Sequence, residues 1–315
     1  FNGDNLMPRS NSKYILDEIN SLRKSKNTLI LAHNYQLGEI QDIADFCGDS
    51  LELSIKASET TADILIFCGV RFMAETAYIL SPKKKVLLPV KDAGCLMADM
   101  VQVKHLKELR KKHHGAIVVT YINSSAAVKG ESDICVTSSN ALKIVSSLPK
   151  DKEIIFVPDA NLGSYIQKKT GRKLILFPGY CPVHQRIEKE IVVRRKKENP
   201  GAIILAHPEC CPDVVEEADE VLSTSGICDF VKKSKNQKFI IVTECGILHK
   251  LQKENPSKIF IAASEQAICP EMKFIRIEDV HLALKFEKFR ITVPERIRSK
   301  AENSIRKMLD LSKQK

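Results

Sequence analysis

Three cysteines recur at nearly equal intervals: Cys95, Cys181 and Cys269 lie 86 and 88 residues apart in a chain of 315. Each stands just beyond an apolar run of strand length, VLLPV from Val86, KLILF from Lys173 and KIFIA from Lys258. Three thiolates delivered by three separate loops suit a soft metal. A structural zinc requires a fourth protein ligand, for which His184, close after Cys181, is the candidate. An iron–sulfur cubane normally takes four thiolates, so three leave one iron with an open position, a Lewis acid able to hold a carboxylate or hydroxyl.

Groups that move protons recur with the same period. The runs TLILAH from Thr28, AIVVTY from Ala116 and AIILAH from Ala202 end at positions 33, 121 and 207, separated by 88 and 86 residues. They close in the clusters His33-Asn34-Tyr35, Tyr121-Ile122-Asn123 and His207-Pro208-Glu209. With His184, these supply His33, Tyr35, Tyr121, Asn123, His207 and Glu209 as an acid/base set around a metal. A Ser/Thr-containing turn follows a helical stretch in each copy: Gly48-Asp49-Ser50, Thr137-Ser138-Ser139 and Ser223-Thr224-Ser225.

The elements that position these groups follow from the repeat itself. After each turn comes a third strand, DILIF from Asp63, EIIFV from Glu153 and KFIIV from Lys238, and then the fourth strand that precedes each cysteine. Strands alternating with helical segments predict an α/β fold of three pseudo-threefold-related repeats, each a small parallel sheet flanked by helices. Ligands gather beyond the carboxyl ends of such strands, so the polar clusters and the cysteines are expected at one central site. The division reads as an N-terminal helical segment 1–27, repeats 28–115, 116–201 and 202–280, and a basic helical tail 281–315.

Composition bounds the alternatives. The hydrophobic share is 43% and the charged share 28%, with no Trp, as in an ordinary globular protein of this length. No apolar run reaches the eighteen or so residues of a membrane span. The polar start Asn2-Gly3-Asp4-Asn5 lacks the pattern of a secretory signal, so a cytoplasmic location is expected. The net charge is +10, and from His281 onward ten Lys/Arg face four Asp/Glu. Without any nucleic-acid-binding signature, that excess reads as a solvated basic helix face rather than a nucleic-acid site. Ten cysteines without a single Cys-x-x-Cys argue against a zinc ribbon and a thioredoxin motif. Cys47, Cys68, Cys135, Cys228 and Cys245 sit in or beside apolar runs as small buried hydrophobes, while Cys210 and Cys211 follow Glu209 and fall near the site.

The segments LAHNYQLGEIQDIADFCGDSLELSIKA from Leu31, FCGVRFMAETA from Phe67, GCLMADM from Gly94, TYINSSAAVKGESDICVTSSNA from Thr120, PGYCPVH from Pro178, HPEC from His207, STSGI from Ser223, TECGILHKL from Thr243 and CPEMK from Cys269 resemble the quinolinate synthase family. The resemblance covers the chain from about residue 13 onward. It implies three α/β domains around a pseudo-threefold axis and one [4Fe–4S] cluster on Cys95, Cys181 and Cys269, with one iron open. It implies an enzyme of de novo NAD biosynthesis that condenses iminoaspartate with dihydroxyacetone phosphate to quinolinate, releasing phosphate and water. An aspartate oxidase or dehydrogenase is a candidate supplier of the imine. By position, His33, Ser50, Tyr121, Asn123, Ser138, His207, Glu209, Ser223 and Thr224 match substrate-pocket residues, and Tyr35, Glu209 and His184 match those implicated in proton transfer. Tyr121 and His33 join the catalytic set.

Some members of that family carry a Cys-x-x-Cys-x-x-Cys stretch at the last ligand, whereas Cys269 stands alone here. Gly38 replaces a frequent Pro, and Cys211 accompanies the usual Cys210. Readings from other classes are a non-enzymatic iron–sulfur sensor, which has no need of so many acid/base groups, and a zinc hydrolase or phosphate-binding module.

Overall fold

The computed structural model describes residues 9–313, with side chains from residue 13. The first eight residues of the expected segment 1–27 and the last two of the tail 281–315 lie outside the described residues. Three parallel four-stranded sheets carry the chain. The first holds β1 (Thr28–His33), β2 (Phe46–Gly48), β3 (Ile64–Cys68) and β4 (Lys85–Leu87); the second β5 (Ile117–Tyr121), β6 (Ile134–Val136), β7 (Ile154–Val157) and β8 (Leu174–Leu176); the third β9 (Ile203–Ala206), β10 (Glu220–Val221), β11 (Lys238–Val242) and β12 (Ile259–Ala262). Every sheet has the same order, second–first–third–fourth. The expected α/β architecture of three like units is therefore observed.

The opening and third strands are almost wholly buried, Leu31, Leu65, Val119, Ile155, Leu205 and Ile240 among them without exposure. Such uninterrupted apolar strands are what a parallel sheet covered on both faces requires. The short second strands add an element that the apolar runs did not announce. Their register matters to the site: His33 pairs with Gly48, Tyr121 with Val136 and Ala206 with Val221. Each opening strand thus ends beside the residue that leads into its Ser/Thr turn.

The helix preceding each opening strand packs on the sheet that follows. Ile15 and Ile19 join the core of the first unit, Val101 and Leu106 pack with Val118 and Ile155 of the second, and Val183, Ile187 and Val192 pack with Ile204 and Ile240 of the third. The C-terminal helix Glu295–Lys313 buries Ala301, Ser304, Ile305, Met308 and Leu309 against the helix Ala126–Gly130 and β6. Its basic residues lie on the other face, where Arg298 and Arg306 each pair with Glu302 at 2.6 Å. This helix carries six Lys/Arg against three Asp/Glu, so its amphipathic solvent side accounts for part of the tail's excess charge, and Lys285, Lys288 and Arg290 lie before it. No described helix is long and apolar enough to cross a membrane.

Candidate active site

The carboxyl ends of all three sheets open on one cavity. In the first and third units the turns after β2 and β10 start ten-residue helices, Ser50–Glu59 and Thr224–Lys233, whose caps are Asp49 and Ser223. Asp49 Oδ1 accepts from the backbone N–H of Leu51 and Glu52 at 2.9 and 3.0 Å. Its Oδ2 accepts from Ser139 of the second unit at 2.6 Å and from Ser225 of the third. One carboxylate therefore ties the three turns together and aims helix N-termini, with their partial positive charge, at the cavity.

The three cysteines share a local design. Cys95 and Cys181 cap the short helical turns Leu96–Met100 and Pro182–Gln185, and Cys269 stands just before the Pro270 cap of the turn Glu271–Lys273. Burial pushes the Cys95 thiol up to about 12, against the pull of N–H groups from Ala98 and Met97 aimed at its sulfur. Burial likewise raises Cys181 and Cys269, opposed by the N–H of His184 and of Met272. Cys95 lies within electrostatic reach of both other thiols. Thiols that burial keeps protonated, yet that already receive backbone donors, are poised to ionise when a cation supplies the missing charge. The donor set thus fits a thiolate-bound metal centre. A second candidate grouping overlaps it, since ligand atoms of Cys181, His184 and Glu209 lie within 4.8 Å of one another.

The candidate acid/base groups form one continuous hydrogen-bonded chain across the three units. Tyr35 and Thr243 share a 2.5 Å hydroxyl contact, and Thr243 Oγ1 lies 2.8 Å from His184 Nε2. His184 Nδ1 lies 3.0 Å from Glu209 Oε2, and Tyr121 donates to Glu209 Oε1 at 2.5 Å. Burial alone would raise the Glu209 carboxyl, but His184 and the hydrogen bonds from His184 and Tyr121 outweigh it and hold it well below the usual range. An ionised Glu209 favours the proton on His184 Nδ1, which leaves Nε2 free to accept from Thr243, and Thr243 in turn to accept from Tyr35. Burial and the Glu209 charge push both tyrosines well above their ordinary value. A phenol that cannot ionise alone can pass its proton along such a chain, the logic of a nucleophile–base–orienter set.

His33 and His207 are neutral by construction. Burial lowers them to about 4 and about 3. Their Nδ1 atoms accept the backbone N–H of Tyr35 at 3.1 Å and of Glu209 at 3.3 Å. Each must then carry its proton on Nε2, and that of His207 lies 3.3 Å from Ser138 Oγ. Asn123 Oδ1 and Thr137 Oγ1 are buried without any hydrogen-bond partner on the cavity wall. Such groups are costly unless a ligand satisfies them.

Of the residues expected from sequence, Cys95, Cys181, Cys269, His33, Tyr35, Ser50, Tyr121, Asn123, Ser138, His184, His207, Glu209 and Thr224 all line this cavity. Ser223 does not: its hydroxyl caps its own helix at Gly226 N, at 3.1 Å, and faces a neighbouring surface cleft. Sequence reasoning missed Thr243, Asp49 and Glu244. Glu244 Oε1 accepts from the backbone N–H of Cys269 at 3.1 Å and pairs with Lys273 at 2.9 Å. Lys273 also donates to the carbonyl of Tyr35, so one ion pair holds a cysteine loop and a tyrosine loop from different units. Val70, Phe72, Met73, Met97, Val183 and Met272 complete an apolar wall.

The model of the family described as quinolinate synthetase A protein matches residues 17–310. Curated proteins named quinolinate synthase are similar over nearly the whole chain. That of Geobacter metallireducens is 53% identical over 295 residues, 94% of this chain and 97% of its own. That of Alkaliphilus metalliredigens is 51% identical over 302 residues, 96% and 99% of the two chains. That of Dehalococcoides mccartyi is 49% identical over 295 residues, 94% and 97%.

Proposed function

The chain belongs to the quinolinate synthetase A family, and from that premise we propose that its central cavity condenses iminoaspartate with dihydroxyacetone phosphate to quinolinate. Phosphate and water leave, and the product feeds NAD synthesis. It is an enzyme whose substrates are small molecules. The proposed cofactor is one [4Fe–4S] cluster held by Cys95, Cys181 and Cys269, which when bound supplies a Lewis-acidic iron for a substrate carboxylate or hydroxyl. An aspartate oxidase or dehydrogenase in the same cytoplasm would supply the imine.

The chain's own residues account for the rest of the chemistry. Ser50, Ser138 and Thr224, beside helix N-termini, seat the anionic carboxylates and phosphate. Thr224 Oγ1 already accepts from Asn34 Nδ2 at 3.2 Å, so its own proton is free for a substrate oxygen. Neutral His33 and His207 donate from Nε2 and orient the substrates without taking part in proton exchange at neutral pH. Tyr35 gives up its proton through Thr243 to His184, with Glu209 steadying the imidazolium and Tyr121 steadying Glu209. Repeated enolisation and dehydration on the way to an aromatic ring need a group that both takes and returns protons. The apolar wall excludes water from the reactive imine.

The observation that carries this reading is that three cysteines, one per unit, line the same cavity as the proton chain. The test is anaerobic preparation, assay of iron and acid-labile sulfide, absorbance with and without quinolinate, and turnover of the two substrates. Iron and sulfide near four each per chain, a spectrum perturbed by quinolinate, and product formation are expected. Zinc without sulfide would favour the Cys181, His184 and Glu209 grouping and reject the cluster; a cluster without turnover would leave an iron–sulfur sensor.

A further inference from the structure

Lys129, on the short helix Ala126–Gly130, has no solvent exposure. Its ammonium donates to the Phe72 carbonyl at 3.2 Å and to Thr76 Oγ1 at 2.8 Å, and lies 5.3 Å from the centre of the Phe72 ring. All of these partners are neutral. Among the described residues, no carboxylate oxygen lies within 4.0 Å of it. Glu75, whose field reaches the ammonium, gives its Oε2 to the backbone N–H of Ala126 at 2.9 Å. The C-terminal helix seals the position from outside, Ser304 donating to the Lys129 carbonyl at 2.8 Å.

A buried charge without an ion-pair partner costs free energy, and an apolar side chain of the same length would pack there more favourably. Burial draws the ammonium down to about 8, so at neutral pH the cation still predominates. Phe72 is part of the cavity wall, which puts the charge directly behind that wall, and after Glu75 and Cys135 the Cys95 thiol is the third group whose field reaches it. A charge in such a dry setting acts over a longer range than one in water. Glu75 supplies opposing charge from beyond ion-pair distance, and the cavity adds more once three thiolates and two anionic substrates are assembled.

We propose that Lys129 is the buried counter-cation of the active cavity, stabilising through the Phe72 wall the negative charge that cysteine thiolates and anionic ligands bring there. It acts at a distance and touches neither substrate nor metal. The inference rests on the functional reading above.

Two neutral replacements in the full chain test it. Lys129→Met removes the charge and the donors; Lys129→Gln removes the charge but keeps an N–H donor for the Phe72 carbonyl and Thr76. In anaerobic protein both should bind quinolinate about tenfold more weakly, and the reduction potential followed by electron paramagnetic resonance should become more negative in both. Melting temperature should hold or rise. Wild-type binding and potential in either variant that folds would overturn the proposal. So would recovery in Lys129→Gln alone, which would make Lys129 a mere tether between helices. A wild-type chain without cluster or quinolinate binding would instead reject the functional reading, before any variant is compared.

Discussion

Replacing Thr243 by Val isolates the proton chain from everything else in the cavity. Thr243 is buried at the carboxyl end of β11, and among the described residues its hydroxyl is the sole hydrogen-bonded link between Tyr35, at 2.5 Å, and His184 Nε2, at 2.8 Å. Valine keeps the shape and removes the oxygen. Because burial and the Glu209 charge push the Tyr35 phenol well above 10, Tyr35 cannot lose its proton at neutral pH without a path to a base. Lost general acid/base catalysis costs about a hundredfold to ten-thousandfold, or roughly 3 to 5.5 kcal/mol of barrier. Stability should also fall by roughly 1–3 kcal/mol for each buried polar group left unpaired. The assay is anaerobic steady-state and single-turnover quinolinate formation, with iron, sulfide and quinolinate affinity measured on the same sample. The expected outcome is a kcat down at least a hundredfold, KM within a few-fold, and an intact cluster that still binds product. Thr243→Ser, which restores an oxygen, should recover much of the rate. A Thr243→Val enzyme within tenfold of wild type would refute the relay, as would a rate loss matched by equal loss of cluster and product binding.

Cys95→Ala, Cys181→Ala and Cys269→Ala should each abolish the iron–sulfur chromophore, whereas Cys47→Ala and Cys135→Ala should keep it; a full cluster in Cys181→Ala would sink the ligand assignment. Thr224→Ala should weaken quinolinate binding about ten- to a hundredfold, the roughly 1.5–3 kcal/mol of a hydrogen bond to a charged group, and unchanged affinity with a lower melting temperature would reduce Thr224 to a structural role. Acid should destabilise the metal-free fold early. His33 and His207 are lowered to about 4 and about 3, so between pH 6.5 and those values the unfolded chain binds protons that the folded one refuses. Stability is then full above 6.5 and lost as pH falls, by about 3–4 kcal/mol for the pair between pH 7 and 5. Urea unfolding at the two values measures it, and a flat response that matches His33→Asn/His207→Asn would contradict the buried neutral state.

The intervals of 86 and 88 residues made the three units, their parallel strands and the convergence of cysteines legible, because period and apolar runs are properties a sequence carries openly. Residues that act through a side chain's direction were not. Ser223 and Thr224 are neighbours in one turn, but Ser223 turns back onto Gly226 N as a helix cap while Thr224 faces the cavity. The structural counterpart of Ser223 is Asp49, also a cap, so the repeat aligns Thr224 with Ser50. Thr243 had no counterpart to betray it: Gly69 and Pro158 stand beyond the equivalent strands β3 and β7. The two-residue β10, with Glu220 exposed, carries no hydrophobic alternation that could announce a strand. Lys129 looked like any other lysine until the C-terminal helix was seen to cover it.

The repeat explains why the proposed chemistry draws on all three units rather than one. The same backbone slot, the end of the opening strand and two residues beyond, holds His33 and Tyr35, Tyr121 and Asn123, and His207 and Glu209. In the first and third units the imidazole accepts the N–H two residues on, so one local conformation presents a phenol in one case and a carboxylate in the other. Neither group does its work within its own unit. Tyr35 needs Thr243 from the third unit, Glu209 needs Tyr121 and His184 from the second, and Cys269 is held by the same ion pair that grips the Tyr35 loop. Asp49 joins the three turns in the same way. Because the Tyr35–Thr243, Thr243–His184, His184–Glu209, Tyr121–Glu209 and Lys273–Tyr35 contacts cross seams between units, a variant that loosens one seam should disturb proton transfer and cysteine geometry together, while a variant inside a single sheet should cost stability alone.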